Sequence, residues 1–160
     1  VPALEEEGEP AGYSLLVVED TTDMLEFLAK NLGNTYTIHT AANGKEALEC
    51  LETTTVDLII SDIVMPHMDG FELLKSIRSD NMLCHIPFIL LSALDSIDSK
   101  IAGLDYGADA YIEKPFSLSH MKATINNLLE NRRMLFNGAE YVIRPDINEQ
   151  NRREMAEHDQ

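Results

Sequence analysis

Four short apolar runs in this chain each end on side chains suited to chemistry. Glu19-Asp20 follow Leu15-Leu16-Val17-Val18, Asp62 follows Val56 to Ser61, Ser92 follows Phe88 to Leu91, and Lys114-Pro115 follow Tyr111-Ile112. Singly, each has an ordinary reading: a solvated acidic loop, a turn aspartate ahead of Met65-Pro66, a serine cap, a proline-stopped strand. Together they differ, because three carboxylates about 4 Å apart would repel by about 4 kcal/mol per pair at an effective dielectric near 20. A cation or an ammonium must offset that repulsion. Lys114 brings one positive charge, and Mg²⁺, which takes one or two carboxylates plus waters and phosphoryl oxygens, would bring the rest. A hydroxyl and an ammonium beside the acids suit equatorial phosphoryl oxygens, which leaves Asp62 as the nucleophile.

Convergence of these residues requires that the apolar runs be neighbouring strands. Runs of this length separated by helix-like stretches read as parallel strands of an α/β sheet, whose ligand crevice lies outside the strands' carboxyl ends. The pattern predicts strands near Ser14–Val18, Tyr36–Thr40, Val56–Ser61, Pro87–Leu91 and Ala110–Ile112. A helix from Thr22 to Leu32 is stopped at Gly33, and Asn43 caps the next, which carries Ala47, Leu48 and Leu51. The third starts at Gly70 with Phe71, Leu74 and Ile77 at helical spacing, the fourth spans Ile97–Asp105 and ends near Gly107, and Ser117 caps a last helix bearing Met121, Ile125, Leu128 and Leu129.

At 160 residues with 44% hydrophobic content, one domain with length to spare is expected. The net charge of −16, from 28 acidic and 12 basic residues, argues against binding nucleic-acid backbone or an anionic membrane. No apolar stretch approaches the roughly 18 residues of a membrane helix, and the opening residues carry glutamates where a secretion signal has cations. Cys50 and Cys84, far apart and in largely apolar contexts, read as two buried reduced thiols, and the expected setting is cytoplasmic. Residues 1–12 have the acidic, Pro/Gly-punctuated composition of a linker, residues 13–136 form the domain, and 137–160 read as a tail or linker remnant. With Val1 in first place, a fragment of a longer protein is expected. His67 reads as a solvated loop histidine, and the methionines as packing residues.

The acid pair Glu19-Asp20, the stretch Asp62-Ile63-Val64-Met65-Pro66 with Asp69-Gly70, Ser92-Ala93, and Tyr111-Ile112-Glu113-Lys114-Pro115-Phe116 resemble, in order and spacing, the receiver domain of two-component response regulators. The resemblance covers about Ser14 to Arg133. It implies a flavodoxin-like, doubly wound five-stranded parallel sheet in the order 2-1-3-4-5 with helices on both faces. It further implies that Asp62 accepts a phosphoryl group from the phosphohistidine domain of a histidine kinase, so the isolated domain is a phosphoacceptor rather than an enzyme. Asp20, Asp62 and the Val64 carbonyl would hold Mg²⁺, with Glu19 contributing directly or through water. Ser92 and the Ala93 amide would hold phosphoryl oxygens, Lys114 would bridge Asp62 and then the phosphate, and Tyr111 would be the switch aromatic that turns inward. Val64 and Leu94 would flank the hydrolytic water. A homodimer through the fourth helix, fifth strand and fifth helix is possible within this family. The wording around Ala110 to Leu118 and Leu129 to Arg133 is most similar to receivers embedded in hybrid histidine kinases, although no basic recognition helix follows Arg133.

Three other readings compete. A phosphatase with an aspartyl nucleophile needs a second acid where Val64 stands, and a flavin phosphate would meet acids at Glu19-Asp20. A receiver-shaped module that no longer takes phosphate has no use for the complete acid, hydroxyl and lysine set.

Overall fold

A computed structural model describes residues 12–93 and 97–137, the side chains of residues 97–99 and 133–137 excepted. The expected linker apart from Gly12, the tail beyond Asn137, and Leu94 lie outside the described residues.

The three inner strands are short, mainly apolar runs buried on both faces, as a sheet covered by helices on each side demands, while the edge strand Thr37–Ala41 is polar and partly exposed. The strands are β1 (Ser14–Val18), β2 (Thr37–Ala41), β3 (Leu58–Asp62), β4 (Phe88–Ser92) and β5 (Ala110–Glu113); the helices are α1 (Thr22–Leu32), α2 (Gly44–Thr53), α3 (Gly70–Arg78), α4 (Ile97–Asp105) and α5 (Leu118–Asn137). All pairings are parallel and the order is β2-β1-β3-β4-β5, the doubly wound arrangement that the resemblance implied. Alternate residues of each strand feed separate cores. Leu16, Val18, Ile59, Phe88 and Leu90 pack with Leu73, Leu74 and Ile77 of α3 on one face. Leu15, Val17, Ile60, Ile89 and Leu91 pack with Leu28 of α1 and Met121, Ile125 and Leu129 of α5 on the other. Burying each such side chain stabilises the fold by about 1.5–3 kcal/mol. No helix among the described residues is long and apolar enough to cross a membrane.

Local chemistry starts the helices where the sequence suggested. Asn43 accepts the Glu46 N–H at the head of α2, and Asp69 forms a reciprocal capping box with Glu72 at the head of α3. Some boundaries differ from expectation. Tyr36 donates its N–H to Leu32, so β2 begins at Thr37. Asp57 accepts the Ser14 N–H on its carboxylate, and pairing of β3 with β1 starts one residue later, at Leu58. Gly33 caps α1 in right-handed geometry, φ −67°, not as a left-handed stop. The thiols are also less enclosed than composition suggested: Cys50 is half-buried and Cys84 exposed, because Cys84 sits in the α3–β4 connection outside the core.

Candidate functional site

Register carries the functional residues to one edge of the sheet. Val18 pairs with Ser61 and Asp62 with Leu91, so Glu19-Asp20, Asp62 and Ser92 emerge at nearly the same level. Ser92 pairs with Glu113, and the Lys114 N–H donates to the Ser92 carbonyl at 2.8 Å, which delivers Lys114 to the same edge. Asp62 and Ser92 are the last residues of their strands rather than the first beyond them.

Glu19, Asp20 and Asp62 offer carboxylate oxygens within 4.8 Å of one another. Glu19 is 1% exposed and Asp62 7%, whereas Asp20 faces water. Lys114 Nζ lies 2.9 Å from Glu19 Oε1 and 3.4 Å from Asp62 Oδ2, so one ammonium serves two buried acids. Glu19 also accepts the Thr21 N–H at 3.1 Å through its other oxygen, which satisfies the donor of the residue that precedes α1. Burial, followed by the Glu19 charge, pushes the Asp62 pKa up to about 6 against the opposing pull of Lys114 and the Ile63 N–H. Burial depresses Lys114, but its hydrogen bond to Glu19 and the charges of Asp62 and Glu19 outweigh that, and its pKa ends up raised. The site is short of positive charge. Hard oxygen donors in this number fit Mg²⁺.

Ser92 is 1% exposed at the end of β4, and Ala93 after it is exposed. Val64 is 63% exposed, two residues past Asp62. Tyr111 is half-buried against the α3-side core. His67 stands apart from the acid group and has φ +68°, an unfavourable backbone for a residue with a side chain. With Met68 donating to Pro66 at 2.7 Å around it, the turn is of the strained γ type.

Two supports escaped the sequence reading. A Cβ on Gly70 would lie 2.3 Å from the Asp62 carbonyl oxygen, so only glycine lets α3 start against the Asp62 backbone; its N–H donates to the Ile63 carbonyl at 2.8 Å. A glycine eight residues after an acid was the available signal. The Lys114–Pro115 peptide bond is cis, which nothing in the sequence announced.

Fold and site define a doubly wound α/β domain whose strand ends gather carboxylates around a single lysine. The sequence matches the response regulator receiver domain over residues 15–126, and the chain belongs to that family. Such domains accept a phosphoryl group in two-component signalling. The chain is 37% identical over 156 residues to "Histidine kinase P4" of Formosa agariphila, covering 92% of this chain and 11% of that protein. It is 39% identical over 118 residues to "Probable transcriptional regulator ycf27" of Cyanidium caldarium, covering 73% of this chain and 46% of that protein. The chain thus spans less than half the length of either relative. Among solved structures, the signal receiver domain of a signal transduction histidine kinase from Syntrophus aciditrophicus superposes with TM-score 0.72 at 33% identity, covering 82% of this chain and 97% of that one. The receiver domain of the Francisella response regulator 1452 gives TM-score 0.71 at 36% identity over 76% of this chain and 99% of that one.

Proposed function

We propose that Asp62 is the phosphoacceptor and takes its phosphoryl group from the phosphohistidine domain of a histidine kinase. The observation that carries this reading is a 7%-exposed carboxylate gathered with two further acids and one lysine at the carboxyl edge of the sheet. An Asp62 oxygen attacks phosphorus in line while the phosphohistidine nitrogen departs with its bonding electrons. Lys114, already within reach of Asp62, follows the negative charge onto the phosphoryl oxygens. The Ser92 hydroxyl and the Ala93 N–H donate to those oxygens, and Tyr111 follows Ser92 inward. Asp20, Asp62 and the Val64 carbonyl would hold Mg²⁺, which when bound supplies positive charge to the phosphoryl oxygens. Glu19, whose two oxygens already serve Lys114 and Thr21, would reach it through water.

Incubation with a small phosphodonor and Mg²⁺ is expected to add the mass of one phosphoryl group, and Asp62→Asn to take up none. Phosphate found on the Asp62→Asn variant would refute the assignment. Mg²⁺ at a hundredfold excess over its dissociation constant should stabilise the fold by about 2.7 kcal/mol. Val64, apolar and exposed, together with Leu94, offers no hydrogen bond to a hydrolytic water, so the aspartyl phosphate should be long-lived. The pair Val64→Asn and Leu94→Glu should speed its loss; an unchanged time course would contradict this.

The same reading takes residues 1–12 as linker, 13–136 as the receiver and 137–160 as tail, within a cytoplasmic hybrid histidine kinase. Similarity to the Formosa agariphila kinase supports that placement. Its switching surface, and its face in a homodimer, would be α4, β5 and α5, where Ile101 and Leu104 are half exposed.

A further inference from the structure

One guanidinium gathers four connections at the sheet edge opposite the acids. Arg78, the last residue of α3, has a side chain only 15% exposed. Its Nε donates to the Gly107 carbonyl at 2.9 Å, and Nη1 to the carbonyls of Cys84 at 3.2 Å and Ile86 at 2.7 Å. Nη2 donates to Asp109 Oδ2 at 2.9 Å, and the same oxygen accepts the N–H of Phe88, the first residue of β4, at 2.9 Å. A rigid planar fork can hold four acceptors in this way, and a lysine cannot.

Gly107 lies just past α4 with φ +104°, a backbone that glycine adopts freely. Its N–H returns to the Leu104 carbonyl, that of Ala108 to Gly103, and that of Asp109 to Phe88. Beside it, the Tyr106 ring meets Phe71 of α3 edge-on at 5.5 Å, with Lys75 Nζ 5.3 Å from the Tyr106 ring centre. The C-terminal end of α4 is therefore tied to α3, to β4 and to the connection between them. Lys100 to Leu104, in the preceding turn, are held more smoothly. At Gly103 a Cβ would come within 2.7 Å of Leu90 Cδ1, so bare backbone lies against the sheet with no side chain to interlock. Ile101 and Leu104 are 50% and 51% exposed. Lys100 pairs with Glu113 of β5 where the two side chains are 41% and 42% exposed, a surface contact that salt screens.

We propose that Arg78 and Asp109 form a fixed pivot for α4, so that the helix swings about Gly107 rather than sliding along the sheet, with greatest amplitude at the end that follows Ser92. The phosphoacceptor reading supplies what drives the swing; the pivot stands on the contacts just given. Arg78 is a positioning residue, remote from the reacting atoms.

Amide hydrogen exchange tests it on the free protein first. The amides of Tyr106 to Asp109 are expected to exchange about tenfold more slowly than those of Lys100 to Gly103, since local opening follows the density of buried ties. Arg78→Lys keeps a charge for Asp109 but loses the fork; it should raise exchange at Gly107 to Asp109 by about tenfold while leaving α1 and α5 within about twofold, which a general loss of stability would not do. With Mg²⁺ and beryllofluoride as the phosphoryl mimic, the wild-type change should fade before Gly107, and in Arg78→Lys it should run through Asp109. Uniform exchange along α4, no local effect of Arg78→Lys, or a mimic response at Gly107 to Asp109 equal to that at Lys100 would each overturn the pivot. Mimic binding is read separately by a thermal shift: its absence would count against the phosphoacceptor reading, while the free-protein contrast still decides the pivot.

Discussion

The two edges of this sheet treat charge in opposite ways. At the carboxyl edge two almost fully buried acids, Glu19 and Asp62, share Lys114 with Asp20 beside them, and the pKa of Asp62 rises to about 6. At the other edge the two acids Asp109 and Asp57 each lie beside an arginine and accept a backbone N–H. Asp109 receives Arg78 and the Phe88 N–H. Asp57 receives the Ser14 N–H at 2.8 Å, and its carbonyl accepts Arg132 Nη1 at 2.7 Å. Burial raises the Asp109 pKa as well, but there a guanidinium and a backbone N–H pull it back, whereas Asp62 shares one ammonium with a second buried acid. The carboxyl edge is thus poised to gain from a cation or a phosphoryl group, and the opposite edge holds the strands in place while it does so.

The contrast predicts its largest effect on the satisfied edge. Arg78→Ala would remove the donor from three carbonyls and from Asp109, whose side chain is 35% exposed and keeps the Phe88 N–H, and losing one charged donor to this many acceptors is expected to cost about 3 kcal/mol. Arg132→Ala removes one charged hydrogen bond and a looser ion pair to Asp57, 3.7 Å away, while Asp57 keeps the Ser14 N–H, so about 1.5 kcal/mol is expected. Urea titrations with unchanged slopes would measure both. If Arg78→Ala cost no more than Arg132→Ala, the guanidinium network would be decoration and the comparison of the two edges would lose its firmer half.

On the acid edge, removing a charge should stabilise. The pKa of Asp62 is raised from 3.8 to about 6, so its native state holds a proton more tightly than its unfolded state. The stability contributed is fully present below pH 3.8 and is lost as pH rises through about 6. A shift of about two units corresponds to about 3 kcal/mol. Without Mg²⁺, Asp62→Asn should therefore match wild type near pH 4 and exceed it by up to about 3 kcal/mol at pH 8. Paired melts at the two pH values would show it, and curves that move in parallel would mean the acids are not strained. Adding Mg²⁺ at pH 8 should close the gap by raising wild type.

Much of the acid edge was legible in the sequence, and little of the other. Doubly buried strands must be apolar runs, so their ends, and the acids, serine and lysine just beyond, could be read from Leu15 to Lys114 directly. The order of the strands could not, since it depends on crossovers that periodicity does not encode, and it entered through family resemblance. Nothing in the sequence singled out Arg78 or Asp109, because their pairing spans 31 residues with no repeat to reveal it. Glu19 holding the Thr21 N–H, Gly70 lying against Asp62, and the exposure of Cys84 likewise depend on three-dimensional proximity.

Backbone strain sharpens the comparison at the smallest scale. Where the arginine edge needs positive φ it uses Gly107, at +104°; where the acid edge needs it, His67 stands at +68°. Gly107→Ala should cost about 1–2 kcal/mol from the left-handed penalty alone, with its Cβ also placed 3.0 Å from Arg78 Nε. His67→Gly should act in the other direction. It relieves the same penalty of about 1–2 kcal/mol but adds about 0.5–1 kcal/mol of unfolded-chain entropy, for a net gain of about 0.5–1 kcal/mol. The loop's other fastenings do not involve the imidazole: the Gly44 N–H donates to the Met68 carbonyl at 3.2 Å, and that of Gly70 to the Ile63 carbonyl at 2.8 Å. A rise of about 2–4 °C in the melting temperature is therefore expected for His67→Gly. A fall would mean that the histidine holds the turn in place, and that the acid edge spends its strain on fixing the loop behind Asp62.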